Sequence, residues 1–169
     1  MKAQNCKKED LNEIQTLYQH ARNTQTEKGM VVWPSFSNEF LLNEIGEDRQ
    51  WKITEGETIA CNWAITYNDK EIWGEKDNSD SIFIHRLCIN TAFRGRRYID
   101  DVVTWAKVFA VQNQKQFIRL DTLGNNKGLI KHYTSAGFTF LGIFHLADVS
   151  NLPLHYHLEP DCCLFEIGL

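Results

Sequence analysis

The 169-residue sequence contains only three prolines and an odd number of cysteines. No Pro- or Gly-rich linker and no repeat divides it, so we expect a single domain over residues 1–169. The five cysteines cannot all pair with one another and show no C-x-x-C spacing, which excludes a disulfide framework and disfavours a zinc site. Free thiols are typical of the reducing cytoplasm, where we expect the protein to act.

The sequence also lacks a long apolar run and an excess of basic charge. No stretch approaches the length needed to span a bilayer, and residues 1–10 are too polar for a signal peptide. Lys and Arg number 18 against 22 Asp and Glu, a formal net charge of −4, which disfavours nucleic-acid binding through overall charge. We therefore expect neither a membrane nor a nucleic acid as partner.

The composition is that of an ordinary globular protein, with 43% hydrophobic and 24% charged residues. A chain of this length buries roughly 70% of its unfolded surface and needs no metal to fold. Apolar residues at helical spacing predict four helices, at 11–21, 37–45, 99–113 and 127–135. Six strands are predicted, at 50–54, 58–66, 81–89, 117–121, 138–145 and 162–167. The polar stretch 68–80 is expected to form an exposed loop.

The order of these elements predicts the fold class. The second half alternates strands with helices, which favours a sheet with at least one parallel pair. The first half places helices before a hairpin around Glu55-Gly56-Glu57. We therefore expect an α/β or α+β protein with a mixed sheet.

Three arginines stand where strand 81–89 passes through a short turn into helix 99–113: Phe93-Arg94-Gly95-Arg96-Arg97-Tyr98-Ile99. The N–H groups and dipole of a helix N-terminus bind anions, and arginine adds forked donors matched to phosphate. Arginine is unfavourable at this end of a helix for the helix itself. On this feature alone, a ligand that carries phosphate and a solvated basic cap explain the placement equally well.

From His85 to Gly142 the sequence resembles the GNAT acyltransferase superfamily, which moves acetyl groups from acetyl-CoA to amines. Phe93-Arg94-Gly95-Arg96 followed by a helix is similar to the family's motif for the CoA pyrophosphate. A strand, an Asn, a helix with a Tyr and a Gly-Phe exit follow in family order: Leu120-Asp121-Thr122, Asn126, Tyr133 and Gly137-Phe138. The resemblance implies one GNAT-like domain, with a mixed, mostly antiparallel sheet of about six to seven strands and about four helices.

The motif departs from the family pattern, Arg/Gln-x-x-Gly-x-Gly/Ala, at both glycines. Arg97 and Ile99 replace them. Such glycines let the backbone approach the pyrophosphate and let the helix pack closely. Three outcomes stay open. The charge of Arg97 compensates for the lost close approach, a slightly shifted helix accommodates Ile99, or CoA binding is weak or lost.

The resemblance assigns roles to the residues around this turn. Acyl transfer needs a held thioester, a polarised carbonyl, a base for the amine and an acid for the leaving thiolate. The backbone around Cys88, through the amides of Leu87 and Ile89, would bind the acyl-pantetheine arm and face the thioester oxygen. Asn126 would also bind the arm. The pyrophosphate would lie on backbone amides of six residues: Arg94, Gly95, Arg96, Arg97, Tyr98 and Ile99.

Tyr133 is the candidate general acid, because a phenol with a pKa of about 10 can protonate a thiolate within hydrogen-bond reach. The alternative is a tyrosine that packs its helix on the sheet. His85 is the candidate general base, and a hydrogen-bonded structural histidine is the alternative. Glu55 and Glu166 are weaker candidates, and a base relayed by water, or none, stays open.

The resemblance implies an acetyl-CoA-dependent enzyme that transfers the acetyl group directly to a primary amine of a small molecule or peptide. A non-catalytic GNAT-fold module that binds CoA or another phosphorylated ligand is the alternative, and a pure interaction domain is a third. A homodimer is compatible with the family. The early tryptophans form either core or an aromatic acceptor pocket: Trp33, Trp51, Trp63 and Trp73. We expect no metal, because His155-x-His157, two rings on one side of an extended segment, lacks an evident third ligand.

Overall fold

The computed structural model describes residues 2–77 and 80–169. These residues form six α-helices: α1 Leu11–Glu27, α2 Asn38–Gly46, α3 Lys70–Trp73, α4 Tyr98–Gln112, α5 Lys127–Ser135 and α6 Leu154–Leu158. They also form seven strands: β1 Gln4–Asn5, β2 Gln50–Glu55, β3 Thr58–Thr66, β4 Ser81–Ile89, β5 Phe117–Leu123, β6 Thr139–His145 and β7 Asp161–Gly168. Among the described residues, no helix is both long enough and apolar enough to span a membrane.

The strands form a sheet in the order β1-β2-β3-β4-β5-β7-β6. The β4–β5 pair is parallel, with Ser81–Phe83 in register with Phe117–Arg119. Strand β2 pairs antiparallel with β1 and β3, and β7 pairs antiparallel with β5 and β6. The predicted mixed, mostly antiparallel sheet is thus confirmed, as are the four predicted helices, to which the structure adds α3 and α6.

The chain divides into two compact units. The first consists of residues up to Ile65 together with His85–Val102, and the second of Thr66–Ile84 together with Val103–Leu169. The single domain stays a prediction.

In the first unit, α1 and α2 bury apolar side chains in one cluster with strand residues. Ser37 caps α2, since its hydroxyl accepts the N–H of Phe40 at 3.1 Å. The hairpin of β2 and β3 turns at Gly56, whose φ of +60° favours glycine. The cluster contains Cys6, Ile14, Leu17, Tyr18, Leu41, Ile45, Ile59 and Cys88.

In the second unit, β7 lies between β5 and β6 and carries most of the strand pairing. Helix α5 ends at Ser135, where the sequence predicted its end, and Gly137 follows with a φ of +98°, which favours glycine. An apolar cluster fills this unit: Ile72, Trp73, Phe83, Leu146, Tyr156, Cys162 and Leu164.

The expected exposed loop at 68–80 is partly wrong. It contains the short helix α3, which buries Ile72 and Trp73 in the second unit. Four residues are too few to show helical periodicity in a sequence, so the pattern could not reveal this helix. Asn78 and Ser79 of the predicted loop lie outside the described residues.

Candidate functional site

The turn before α4 is fixed by the side chain of Asn90. Its Oδ1 accepts the N–H of Ala92 at 3.0 Å, and its Nδ2 donates to the carbonyl of Ile59 at 3.0 Å. Gly95 follows with a φ of +89°, a backbone conformation that side chains with a Cβ rarely adopt. The turn therefore leaves residues 94–97 exposed immediately before the N-terminus of α4.

All three arginines of this turn are exposed, and each has a polar partner. Arg94 donates to the hydroxyl of Thr24 at 3.1 Å. Arg96 forms an ion pair with Glu55. Arg97 donates to both carboxylate oxygens of Asp100, at 2.6 and 2.9 Å. The chain's own acids thus offset part of the positive charge of the turn, although exposed pairs of this kind are weak and exchange readily with solvent or a ligand.

The two residues that replace the pattern glycines lie in opposite environments. Ile99 is completely buried, whereas Arg97 is exposed. Because the Ile99 side chain points into the protein, it leaves the exposed side of the turn clear. An exposed turn, a left-handed glycine and a helix N-terminus with nearby arginines fit a pyrophosphate group. Binding itself stays a prediction.

Tyr98 joins this turn to the β2–β3 hairpin. Its ring is buried, and its hydroxyl donates to Oε1 of Glu55 at 2.9 Å, the oxygen that also accepts from Arg96. The hydrogen bond from Tyr98, followed by the bond and charge of Arg96, lowers the pKa of Glu55. A carboxylate stabilised in its ionised form accepts a proton less readily, so Glu55 is a poor general base.

Strand β4 places its three candidate arm-binding residues on alternate faces. Cys88 is buried in the first unit's cluster, while Leu87 and Ile89 are half-buried. Burial raises the pKa of the Cys88 thiol to about 12. The thiol therefore stays protonated and acts as a small apolar side chain, not as a nucleophile.

The other two candidate bases are also held in unfavourable environments. Burial, reinforced by the charges of Arg86 and Arg49, lowers the pKa of His85 to about 3. Its imidazole is neutral at neutral pH and accepts a proton only weakly. Glu166 forms an ion pair at 2.7 Å with the buried Arg119. The role of His85 as general base stays a prediction, and its environment weakens it.

In the second unit, Asn126 and Tyr133 lie at the start and near the end of α5. Oδ1 of Asn126 accepts the N–H groups of Gly128 and Leu129, both at 3.0 Å, and so caps the helix. The Tyr133 ring is 9% exposed and packs edge-on against Phe138, with ring centroids 5.9 Å apart. A packing role is therefore present for Tyr133, and its role as general acid stays a prediction.

The sequence analysis missed a pair of aspartates in the second unit. One carboxylate oxygen of Asp69 and one of Asp121 lie within 4.8 Å of each other, and Tyr156 donates its hydroxyl to Asp121 at 3.1 Å. Burial raises the pKa of Asp121 to about 6, and burial with repulsion from Asp121 raises the pKa of Asp69 to about 8. The pair therefore exchanges protons near neutral pH. The one available signal was an aspartate within the apolar strand 117–121.

Two further expectations are settled by burial. Trp63 and Trp73 are almost fully buried and belong to the core, which leaves Trp33 and Trp51 as half-buried candidates for an acceptor pocket. The His155-x-His157 segment is helical, not extended, so the expectation that its two rings share one side is wrong. His155 is buried and His157 is exposed.

Comparison with known proteins gives one curated relative. The chain matches no family model. YesJ of Bacillus subtilis (strain 168), an uncharacterized N-acetyltransferase, is 32% identical over 90 residues, which cover 53% of this chain and 46% of YesJ. The match thus spans about half the length of this curated relative.

Solved structures match over nearly the whole chain. An acetyltransferase of the GNAT family from Listeria monocytogenes 4b F2365 has a TM-score of 0.78 and 19% identity, over 99% of this chain and 94% of that one. YncA from Salmonella typhimurium, solved with its cofactor acetyl-CoA, has a TM-score of 0.71 and 12% identity, over 99% of this chain and 93% of that one. At these identities the likeness concerns the fold.

Proposed function

Because this chain has the fold of the GNAT superfamily, we propose that it is an acetyl-CoA-dependent N-acetyltransferase that moves the acetyl group directly to a primary amine. The predicted resemblance to the superfamily is confirmed by the curated relative and by the shared fold. The observation that carries the proposal is the exposed turn of Arg94, Gly95, Arg96 and Arg97 ahead of α4, with Ile99 turned inward.

Acetyl-CoA, when bound, supplies an activated acyl thioester. The turn before α4 would hold the pyrophosphate through its backbone N–H groups, while Arg94 and Arg96 neutralise its charge. The N–H groups of Leu87 and Ile89 would orient the arm and polarise the thioester carbonyl. The amine attacks the carbonyl carbon, a C–N bond forms, and the C–S bond breaks with its electron pair on sulfur.

Proton transfer completes the reaction. Tyr133 would protonate the leaving thiolate. The proton that the amine loses would pass to a base, for which His85 is the sequence-derived candidate. The Asp69–Asp121 pair is the candidate that the structure adds, because its raised pKa values lie near neutral pH.

The acceptor is proposed as a small-molecule or peptide amine. Partly exposed aromatic rings in the first unit support this class, since an ammonium group is attracted to the face of an aromatic ring. They are Trp33 and Trp51. Homodimer formation and a cytoplasmic location stay predictions.

A non-catalytic module that binds CoA or another phosphorylated ligand is the second candidate. Arg97 in place of a glycine, paired with Asp100, favours it because both features work against close approach of a pyrophosphate. In this case the fold would be kept and acyl transfer lost.

Calorimetric titration of acetyl-CoA and of CoA into the full chain separates the proposals, with Arg97→Gly as the comparison. Micromolar binding by the parent, followed by thiol release with an acceptor from an amine panel, supports the enzyme. CoA binding without turnover on any amine supports the non-catalytic module. Absence of binding in the parent, with binding gained in Arg97→Gly, contradicts the proposed enzyme.

A further inference from the structure

Arg86 has a left-handed backbone in the interior of a strand. Among the residues that the structure describes, three non-glycine residues have a positive φ: Asp48, Arg86 and Gln114. Asp48 and Gln114 lie in the turns that follow α2 and α4, where such a conformation is common. Arg86, with a φ of +52°, lies inside β4. A strained residue of this kind persists only where its surroundings hold it.

The surroundings of Arg86 hold its guanidinium from three directions. Nη2 donates to both carboxylate oxygens of Glu44, at 2.5 and 2.6 Å. The guanidinium carbon also lies 5.1 Å from the ring centre of Phe36 and 5.2 Å from that of Phe40. Charge-assisted bonds and two cation–π contacts therefore fix one orientation of the side chain. We call these four residues the Arg86 clamp.

Glu44 is itself held firmly by the first unit. Its side chain is 2% exposed, and it accepts from Gln50 at 2.8 Å and from Arg49 at 3.2 Å. Gln50 is completely buried and hydrogen-bonds Tyr18 and Asn62 in turn. A buried carboxylate with this many donors is a rigid anchor, because every alternative position would leave a buried charge unpaired.

The conformation of Arg86 determines the direction of the next peptide group. A left-handed residue within a strand rotates the following peptide away from the regular ladder, as in a bulge. The rotated peptide carries the N–H of Leu87, which the proposed function places at the thioester oxygen. We propose that Glu44 is a positioning residue, which acts through Arg86 to aim the Leu87 N–H at the acyl oxygen. This inference rests on the proposed function.

The test compares CoA with acetyl-CoA, since only acetyl-CoA carries the acyl oxygen. Calorimetry on the full chain gives the ratio of the two dissociation constants, and we expect the parent to prefer acetyl-CoA by about threefold to tenfold, the worth of one hydrogen bond. Arg86→Ala and Glu44→Gln lose this preference and keep their affinity for CoA. Arg86→Gly retains it, because glycine adopts a positive φ without the clamp.

A double variant and a matched control sharpen the test. Arg86→Gly in the Glu44→Gln background restores the preference for acetyl-CoA. Asp48 has a similar φ, +56°, in the same unit but outside β4. Asp48→Gly is therefore more stable than Asp48→Ala in denaturant unfolding, while both keep the parent's preference.

The outcomes distinguish the inference from the function on which it rests. If Arg86→Gly and Arg86→Ala lose the preference for acetyl-CoA equally, the inference is overturned, because the Arg86 side chain then acts on the ligand itself and not through the backbone. An unchanged preference in Glu44→Gln also overturns it. A parent that binds both ligands equally overturns the inference alone, whereas a parent that binds neither overturns the proposed function as well. If Glu44→Gln does not unfold cooperatively, and so is not properly folded, the comparison of Arg86→Gly with Arg86→Ala tests the inference.

Discussion

The hydroxyl of Tyr156 donates a hydrogen bond of 3.1 Å to Oδ2 of Asp121, the carboxylate that lies beside Asp69 in the second unit. This bond favours the ionised form of Asp121, but burial outweighs it and raises the pKa of Asp121 to about 6. The pair as a whole therefore holds protons at a pH where exposed aspartates have lost theirs.

Deprotonation of this pair should consequently lower the stability of the protein as the pH rises from about 4 to about 8. The folded state binds more protons than the unfolded state in this window, since the folded pKa values, about 6 and about 8, exceed the unfolded one near 4. The pair's contribution to the free energy of unfolding is complete near pH 4, and it is lost as the pH rises through the folded pKa values. Urea unfolding at several pH values measures it.

Asp69→Asn should flatten this pH dependence and raise the free energy of unfolding at pH 8 by about 1 kcal/mol or more, because a buried charge is removed. Asp148→Asn is the control. Asp148 is exposed and its pKa is lowered by hydrogen bonds from Ser150, so it titrates below the window. A pH dependence of stability in Asp69→Asn that is no flatter than that of the parent would contradict the raised pKa of Asp69.

Tyr133→Phe should reduce the turnover of acetyl-CoA with a competent amine by about 100-fold or more, if the phenol protonates the leaving thiolate. Its affinity for acetyl-CoA should change by less than about twofold, because the ring keeps its contacts with Phe138 and Phe165. Stopped-flow thiol release measures the rate. Tyr67→Phe, at an exposed tyrosine, is the control, and equal rates in Tyr133→Phe and the parent would exclude the general-acid role.

Asp100→Asn should strengthen CoA binding by about threefold to tenfold, since it releases the Arg97 guanidinium and removes a negative charge from the helix N-terminus. Calorimetry in low salt gives the dissociation constants, and added salt should reduce the gain. Glu57→Gln, an exposed carboxylate in the β2–β3 turn, serves as the charge-matched control. Weaker CoA binding in Asp100→Asn would show that the Arg97–Asp100 pair supports the turn instead of competing with the ligand.

Ile99→Gly should lower the free energy of unfolding by about 3–5 kcal/mol, because a completely buried side chain is deleted and a glycine is introduced into a helix. Arg97→Gly, at the exposed position of the same motif, should cost about 1 kcal/mol or less. Denaturant unfolding of both variants gives the comparison. Similar losses in the two variants would refute the inward placement of Ile99.

Local patterns were sufficient for most of the fold. The helices at 11–21, 37–45, 99–113 and 127–135 and the hairpin at Gly56 follow from apolar spacing, caps and turn residues, all of which act over a few neighbours in the chain. The pattern did not reveal α3 or α6, since helices of four and five residues make little more than one turn and cannot show a repeated apolar spacing. Their stability comes from burial of Trp73 and Tyr156, which depends on residues distant in sequence.

The sequence by itself determined the class of sheet and the likeness to a family, and it predicted that the turn before α4 binds an anion. Only the tertiary structure decided that Ile99 points inward, that the pKa of His85 falls to about 3 and that Asp121 lies beside Asp69. The same holds for the bond between Glu44 and Arg86 and for the left-handed backbone of Arg86. Burial, charge pairing and desolvation arise between segments far apart in the chain, and no local pattern encodes them.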